Sequence, residues 1–70
     1  IKSRFSADPV LQSELAHSLA EAWFSLGRYQ KALAAMELAL GLRTRSLGAD
    51  DRRTLHSAFK LAQIHAQLDN

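Results

Sequence analysis

Seventy residues are room for one small domain with a marginal core, and the absence of cysteine excludes disulfides and thiolate metal sites as staples. Hydrophobic residues at 47% exclude a wholly disordered chain. Nine Lys and Arg against seven Asp and Glu leave a net charge of only +2, a weak case for nucleic acid, and no apolar run approaches the roughly 18 residues of a membrane span.

Ile1 to Ala7 lack the apolar core of a secretion signal. With no signal and no spanning segment, a cytoplasmic location is the expectation. The chain starts with Ile1 and not Met, so it reads as cut from a longer protein, with Ile1 to Phe5 as the tail of a preceding helix. Asp8-Pro9 then opens a helix over residues 9–26: Asp8 caps free N–H groups, and Pro9 suits the first position, where its missing donor costs nothing. Leu11, Leu15, Ala16, Leu19, Ala20, Trp23 and Leu26 recur at steps of three and four as its apolar stripe, and Gly27 ends it. A second helix over residues 29–47 starts at Arg28 or Tyr29. Its stripe is Tyr29, Ala32, Leu33, Met36, Ala39, Leu40, Arg43 and Leu47, with Arg43 expected to bury its stem and keep its charge in water. Gly41 within it suggests a close approach of another helix, and Gly48 stops it. Asp50 or Asp51 caps a third helix over residues 51–68, with the stripe Leu55, Ala58, Phe59, Leu61, Ala62, His65 and Leu68. So short a link between the first two helices makes them an antiparallel hairpin. The fold class is therefore all-α, a hairpin plus a third helix, with residues 1–70 forming one unit.

Asp8, Ala16, Leu19, Ala20 and Leu26 recur 42 residues later as Asp50, Ala58, Leu61, Ala62 and Leu68. Together with Trp23, Leu26-Gly27, Tyr29, Ala32 and Ala39-Leu40, this run resembles the tetratricopeptide motif, in which small and large residues alternate where two helices cross closely. The ordinary repeat has about 34 residues. A spacing of 42 resembles the longer kinesin-light-chain-like variant, whose second helix leads into Leu-Gly-x-Asp-His-Pro-x-Thr-Leu. Leu47, Gly48, Asp50, Thr54 and Leu55 match that motif, whereas Asp51-Arg52 replaces His-Pro and shifts the expected start of the third helix. The opening from Arg4-Phe5 to Leu15 is similar to repeat arrays attached to bacterial Ser/Thr kinases and transcriptional activators. The resemblance covers residues 5 to 70, one repeat and the first helix of the next.

The resemblance implies a protein- or peptide-binding or scaffolding module. Partners of such repeats lie along the inner face of successive first helices, which here corresponds to Glu14, His17, Glu21 and Phe24, then His56, Phe59, Lys60 and Gln63. His17-Ser18 and Phe59-Lys60 stand where kinesin-like repeats often carry paired Asn, so a ladder of amides on a peptide backbone is not expected. Phe24 and Phe59 read either as apolar anchors or as residues buried by neighbouring helices. Glu14, His17 and Glu21 share a helical face but lack a His-Glu-x-x-His pattern, and they read as a solvated polar face with no metal and no response to zinc. His56 is expected exposed, and His65 packed. Ser18 and Ser25 lack a nucleophile elbow, and no Gly-rich phosphate loop exists, so neither an enzyme nor a cofactor is expected. Arg43, Arg45, Arg52, Arg53 and Lys60 form either a phosphate- or nucleic-acid-binding turn, the alternative function, or a solvated helix end diluted by Asp50 and Asp51. A third helix with no successor would leave Leu61, Ala62 and Leu68 uncovered, so self-association is expected.

Overall fold

The computed structural model describes residues 8–69. It contains three α-helices and, among the described residues, no strand: α1 (Pro9–Ser25), α2 (Tyr29–Leu47) and α3 (Arg52–Leu68). The all-α class is as expected. Ile1 to Phe5, read above as the tail of a preceding helix, lie outside the described residues.

Capping chemistry places the helix ends. Asp8 Oδ1 accepts hydrogen bonds from the N–H groups of Val10 and Leu11 at 3.0 and 3.1 Å, and Pro9 takes the first helical position. At the other end of α1 the Gly27 N–H donates to the Phe24 carbonyl and the Arg28 N–H to the Trp23 carbonyl. This paired return needs a left-handed residue, which Gly27 supplies at φ 77°. The chain reverses within a few residues, so α2 folds back along α1. Gly48, at φ 92°, stops α2. Asp51 Oδ1 then accepts from the Arg53 N–H at 2.8 Å, so Asp51 and not Asp50 caps α3. The cap thus falls one residue later than the 42-residue spacing from Asp8, which agrees with the replacement of His-Pro at this turn.

α2 is the central helix. α1 and α3 both pack their backbones against it and meet each other through side chains, among them His17 with Ser57 and Glu21 with Lys60. The core joins Ala16 and Ala20 of α1, Ala32, Met36 and Ala39 of α2, and Ile64 of α3. Alanines at the crossing let the backbones approach, and Met36 fills the space beside them. Full burial of Met36 and of Ile64 each stabilises the fold by about 1.5–3 kcal/mol. Ile64 is the single large apolar side chain of α3 that is fully buried, with Leu61 and Leu68 half-buried beside it.

Several stripes sit differently from their sequence pattern. α1 turns Ser13, Ala16, His17 and Ala20 inward, leaving Leu11, Leu15, Leu19 and Leu26 exposed. α3 buries Thr54, Ser57 and Ile64, with Leu61 and Leu68 inward, whereas Leu55, Ala58, Phe59, Ala62 and His65 face outward. His65 is therefore not a packing residue. The uncovered face of α3 is Leu55, Phe59 and Ala62, not Leu61 and Leu68. Gly41 faces open space, with nothing within 4 Å of where a Cβ would stand, so it marks no close crossing. The physical reason for the rotations of α1 and α3 is polar: both helices turn hydroxyl and imidazole groups toward Arg43.

Ala20 has no exposed surface. Ala20→Leu is expected to overpack the crossing and to cost about 1–3 kcal/mol, read as a lower midpoint in urea denaturation. A parent-like midpoint would contradict the close crossing of α1 and α2.

Candidate functional site

Arg43 lies on the inner stripe of α2, and its guanidinium does not reach water as the sequence suggested. The residue is 5% exposed. Its Nη1 donates to the Arg53 carbonyl and to Ser57 Oγ, both at 2.9 Å, and stands 3.3 Å from His17 Nδ1. Its Nε donates to Ser13 Oγ at 3.4 Å. Ser13 donates its own proton to the Val10 carbonyl at 2.6 Å, which leaves the oxygen free to accept. One arginine therefore ties α1, α2 and α3 together. No carboxylate lies among its hydrogen-bond partners. Burial pulls the Arg43 pKa below its ordinary value, and the nearby Glu14 carboxylate opposes that pull. An arginine keeps its charge under such conditions.

His17 sits beside it, 5% exposed, with Nδ1 2.9 Å from Ser57 Oγ. Burial, and then the Arg43 charge, lower its pKa from the ordinary 6.5, against the Glu21 carboxylate. The imidazole is thus neutral near pH 7. Its Nε2 is 3.4 Å from Glu21 Oε2 but is aligned too poorly for a hydrogen bond. Buried side-chain atoms without a hydrogen bond, among the described residues, are His17 Nε2 and Thr54 Oγ1. The reading of His17 as part of a solvated face is corrected on this ground: only its neighbours Glu14 and Glu21 meet solvent.

Four of the eight inner-face residues chosen from the sequence, Glu21, Phe24, Lys60 and Gln63, line one groove between α1 and α3. Glu14 stands 3.9 Å from Arg53, Lys60 stands 3.7 Å from Glu21, and the His56 ring lies 4.7 Å from that of His17. Phe24 packs against Tyr29, with ring centroids 5.3 Å apart. Below them a groove of about 260 Å³ is floored by Ala20, Met36 and Ile64 and walled by Glu21, Phe24, Lys60 and Gln63. Glu14, His17 and His56 lie beyond the groove lining, and so does Phe59, which is 61% exposed. The buried network of Ser13, Arg43 and Ser57 was missed. The available signal was a cation on an otherwise apolar stripe.

Of the five basic residues read above as either a binding turn or a solvated helix end, Arg45 and Arg52 are exposed. Arg43 is interior, Arg53 is 3.4 Å from Asp51, and Lys60 faces Glu21. A second, wider trough of about 660 Å³ lies between α1 and α2 and is mainly apolar, with Leu15, Leu19, Trp23, Leu38 and Leu42 along it.

Arg43→Lys retains the charge but not the planar fork that spans three helices. It is expected to leave at least one buried acceptor unpaired and to destabilise the chain by about 1–3 kcal/mol, measured by urea denaturation. An unchanged midpoint would show that the network adds nothing to stability.

A tetratricopeptide repeat family model matches residues 11–70. No curated protein matches the chain, and no solved structure matches it. No helix among the described residues is long and apolar enough to cross a membrane. The hairpin with its alanine-lined crossing, the third helix against the central one and the family match over most of the sequence agree: the chain belongs to the tetratricopeptide repeat family.

Proposed function

We propose that the chain is a protein- or peptide-binding module whose contact surface is the groove between α1 and α3. Members of the family serve in protein–protein interaction and scaffolding rather than catalysis. The groove carries the reading here: an apolar floor of Ala20, Met36 and Ile64 lies beneath a wall of mixed charge, Glu21 and Lys60, with Phe24 and Gln63. Such a surface suits an extended or helical segment that offers one apolar side chain and polar groups beside it. Glu14, His17, His56 and Phe59 complete the proposed contact set, outside the groove proper. The pairing of Arg53 and Lys60 with carboxylates favours a protein partner over nucleic acid. We assign the repeat to the long, kinesin-light-chain-like variant on the 42-residue spacing and on the length of α2, which runs 19 residues. An attachment to a bacterial kinase or transcriptional regulator is proposed from the resemblance alone.

Self-association is a second reading, carried by the exposed Leu55 and Phe59 on the outer face of α3. A photo-crosslinking residue distinguishes the surfaces. At Gln63 it is expected to capture a foreign protein from cell extract, in a complex that survives nuclease treatment. At Phe59 it is expected to link two copies of the chain. Nuclease-sensitive capture alone at Gln63 would contradict the protein-binding reading, and an absence of linked copies at Phe59 would contradict self-association.

A further inference from the structure

Next to the groove, α1 and α3 form an arrangement that neither helix contains alone. His17 and Glu21 lie one turn apart on α1 and share a face. His56 reaches the same point from α3. One ligand atom from each of the three lies within 4.8 Å of the others. We propose that His17, Glu21 and His56 bind a late first-row divalent cation of the zinc type and that the ion clamps α1 to α3. The expectation that zinc would find no ligand set considered α1 alone, where only one histidine is present; the crossing of α3 supplies the second.

His17 Nε2 is buried and makes no well-aligned hydrogen bond, its nearest polar neighbour being Glu21 Oε2 at 3.4 Å. A buried nitrogen without a hydrogen bond is costly, and a metal bond to its lone pair would satisfy it. The other ring nitrogen is already held: Nδ1 is 2.9 Å from Ser57 Oγ. Metal binding at Nε2 puts the proton on Nδ1, which then donates to Ser57 Oγ in place of accepting from Arg43, while Arg43 keeps its own bond to Ser57 Oγ. Ser57 then orients the ring in the way an outer partner orients a metal-bound imidazole. Two imidazoles and a carboxylate suit zinc, nickel or cobalt better than calcium or magnesium, and three protein ligands leave a position for water. Lys60 works against the ion, because its ammonium lies 3.7 Å from Glu21 Oε2. Arg43 opposes it from the far side of the His17 ring. α1 and α3 share side-chain contacts but little backbone packing, so a metal bond across them would stiffen the groove.

Thermal unfolding of the full chain in zinc and in EDTA, with equilibrium dialysis for stoichiometry, tests this. Zinc at a hundredfold excess over its Kd is expected to raise the melting temperature by about 10 °C or more, with one ion per chain. His56 is exposed, so His56→Ala should melt near the parent in EDTA and lose the zinc response; Glu21→Gln should lose it as well. Lys60→Gln should bind zinc more tightly by about tenfold, the equivalent of about 1.4 kcal/mol. His65→Ala should respond like the parent. No zinc-dependent rise in the parent, an equal rise in His56→Ala, or one ion per two chains would each overturn the proposal.

Discussion

Arg43 is the constraint on which the arrangement of the three helices depends. A buried guanidinium must give its N–H groups to acceptors or forfeit several kcal/mol of solvation. α2 alone cannot supply those acceptors, because its backbone carbonyls are committed to the helix. They come from Ser13 of α1, and from Ser57 and the Arg53 carbonyl of α3. Once these groups converge on one point, the rotation of α1 and α3 about their own axes is decided. Ala16 and Ala20 then face α2 on one side, and Ile64 enters the core from the other.

The same geometry produces the groove. Both outer helices lean on α2 without closing on each other, so a channel stays open between them over Met36. Its charge follows from the core. Arg43 spends its hydrogen bonds inside, His17 is kept neutral by burial and by Arg43, and Glu21 and Lys60 are left facing each other at the surface. The groove is consequently a balanced polar wall over an apolar floor, a different surface from the basic patch suggested by the number of arginines.

Much of the backbone was legible in the sequence because the signals are local. Asp8-Pro9, Gly27 and Gly48 act through capping and left-handed turns, which depend on the residues themselves. The second stripe was legible too, since α2 packs against both other helices and Ala32, Met36 and Ala39 of that stripe are all buried. The other two stripes were harder. Leu11, Leu15 and Leu19 are as apolar as any core residue yet stay exposed, while Ser13, His17, Thr54 and Ser57 are buried. Hydropathy cannot identify a hydroxyl as a core residue, because its place inside depends on a partner on another helix. The tertiary pairing also brings His56 to His17 across nearly forty residues, which no spacing rule within one helix contains.

A double-mutant cycle between Arg43 and Ser57 is the most direct test of the account. Arg43→Met, Ser57→Ala and the double variant would be compared by urea denaturation, with α3 followed separately by amide hydrogen exchange. If the buried arginine holds α3 in place, the two substitutions should couple by about 1 kcal/mol or more, and α3 should lose protection before α1 and α2. Effects that add within about 0.3–0.5 kcal/mol, with α3 as protected as the hairpin, would contradict it.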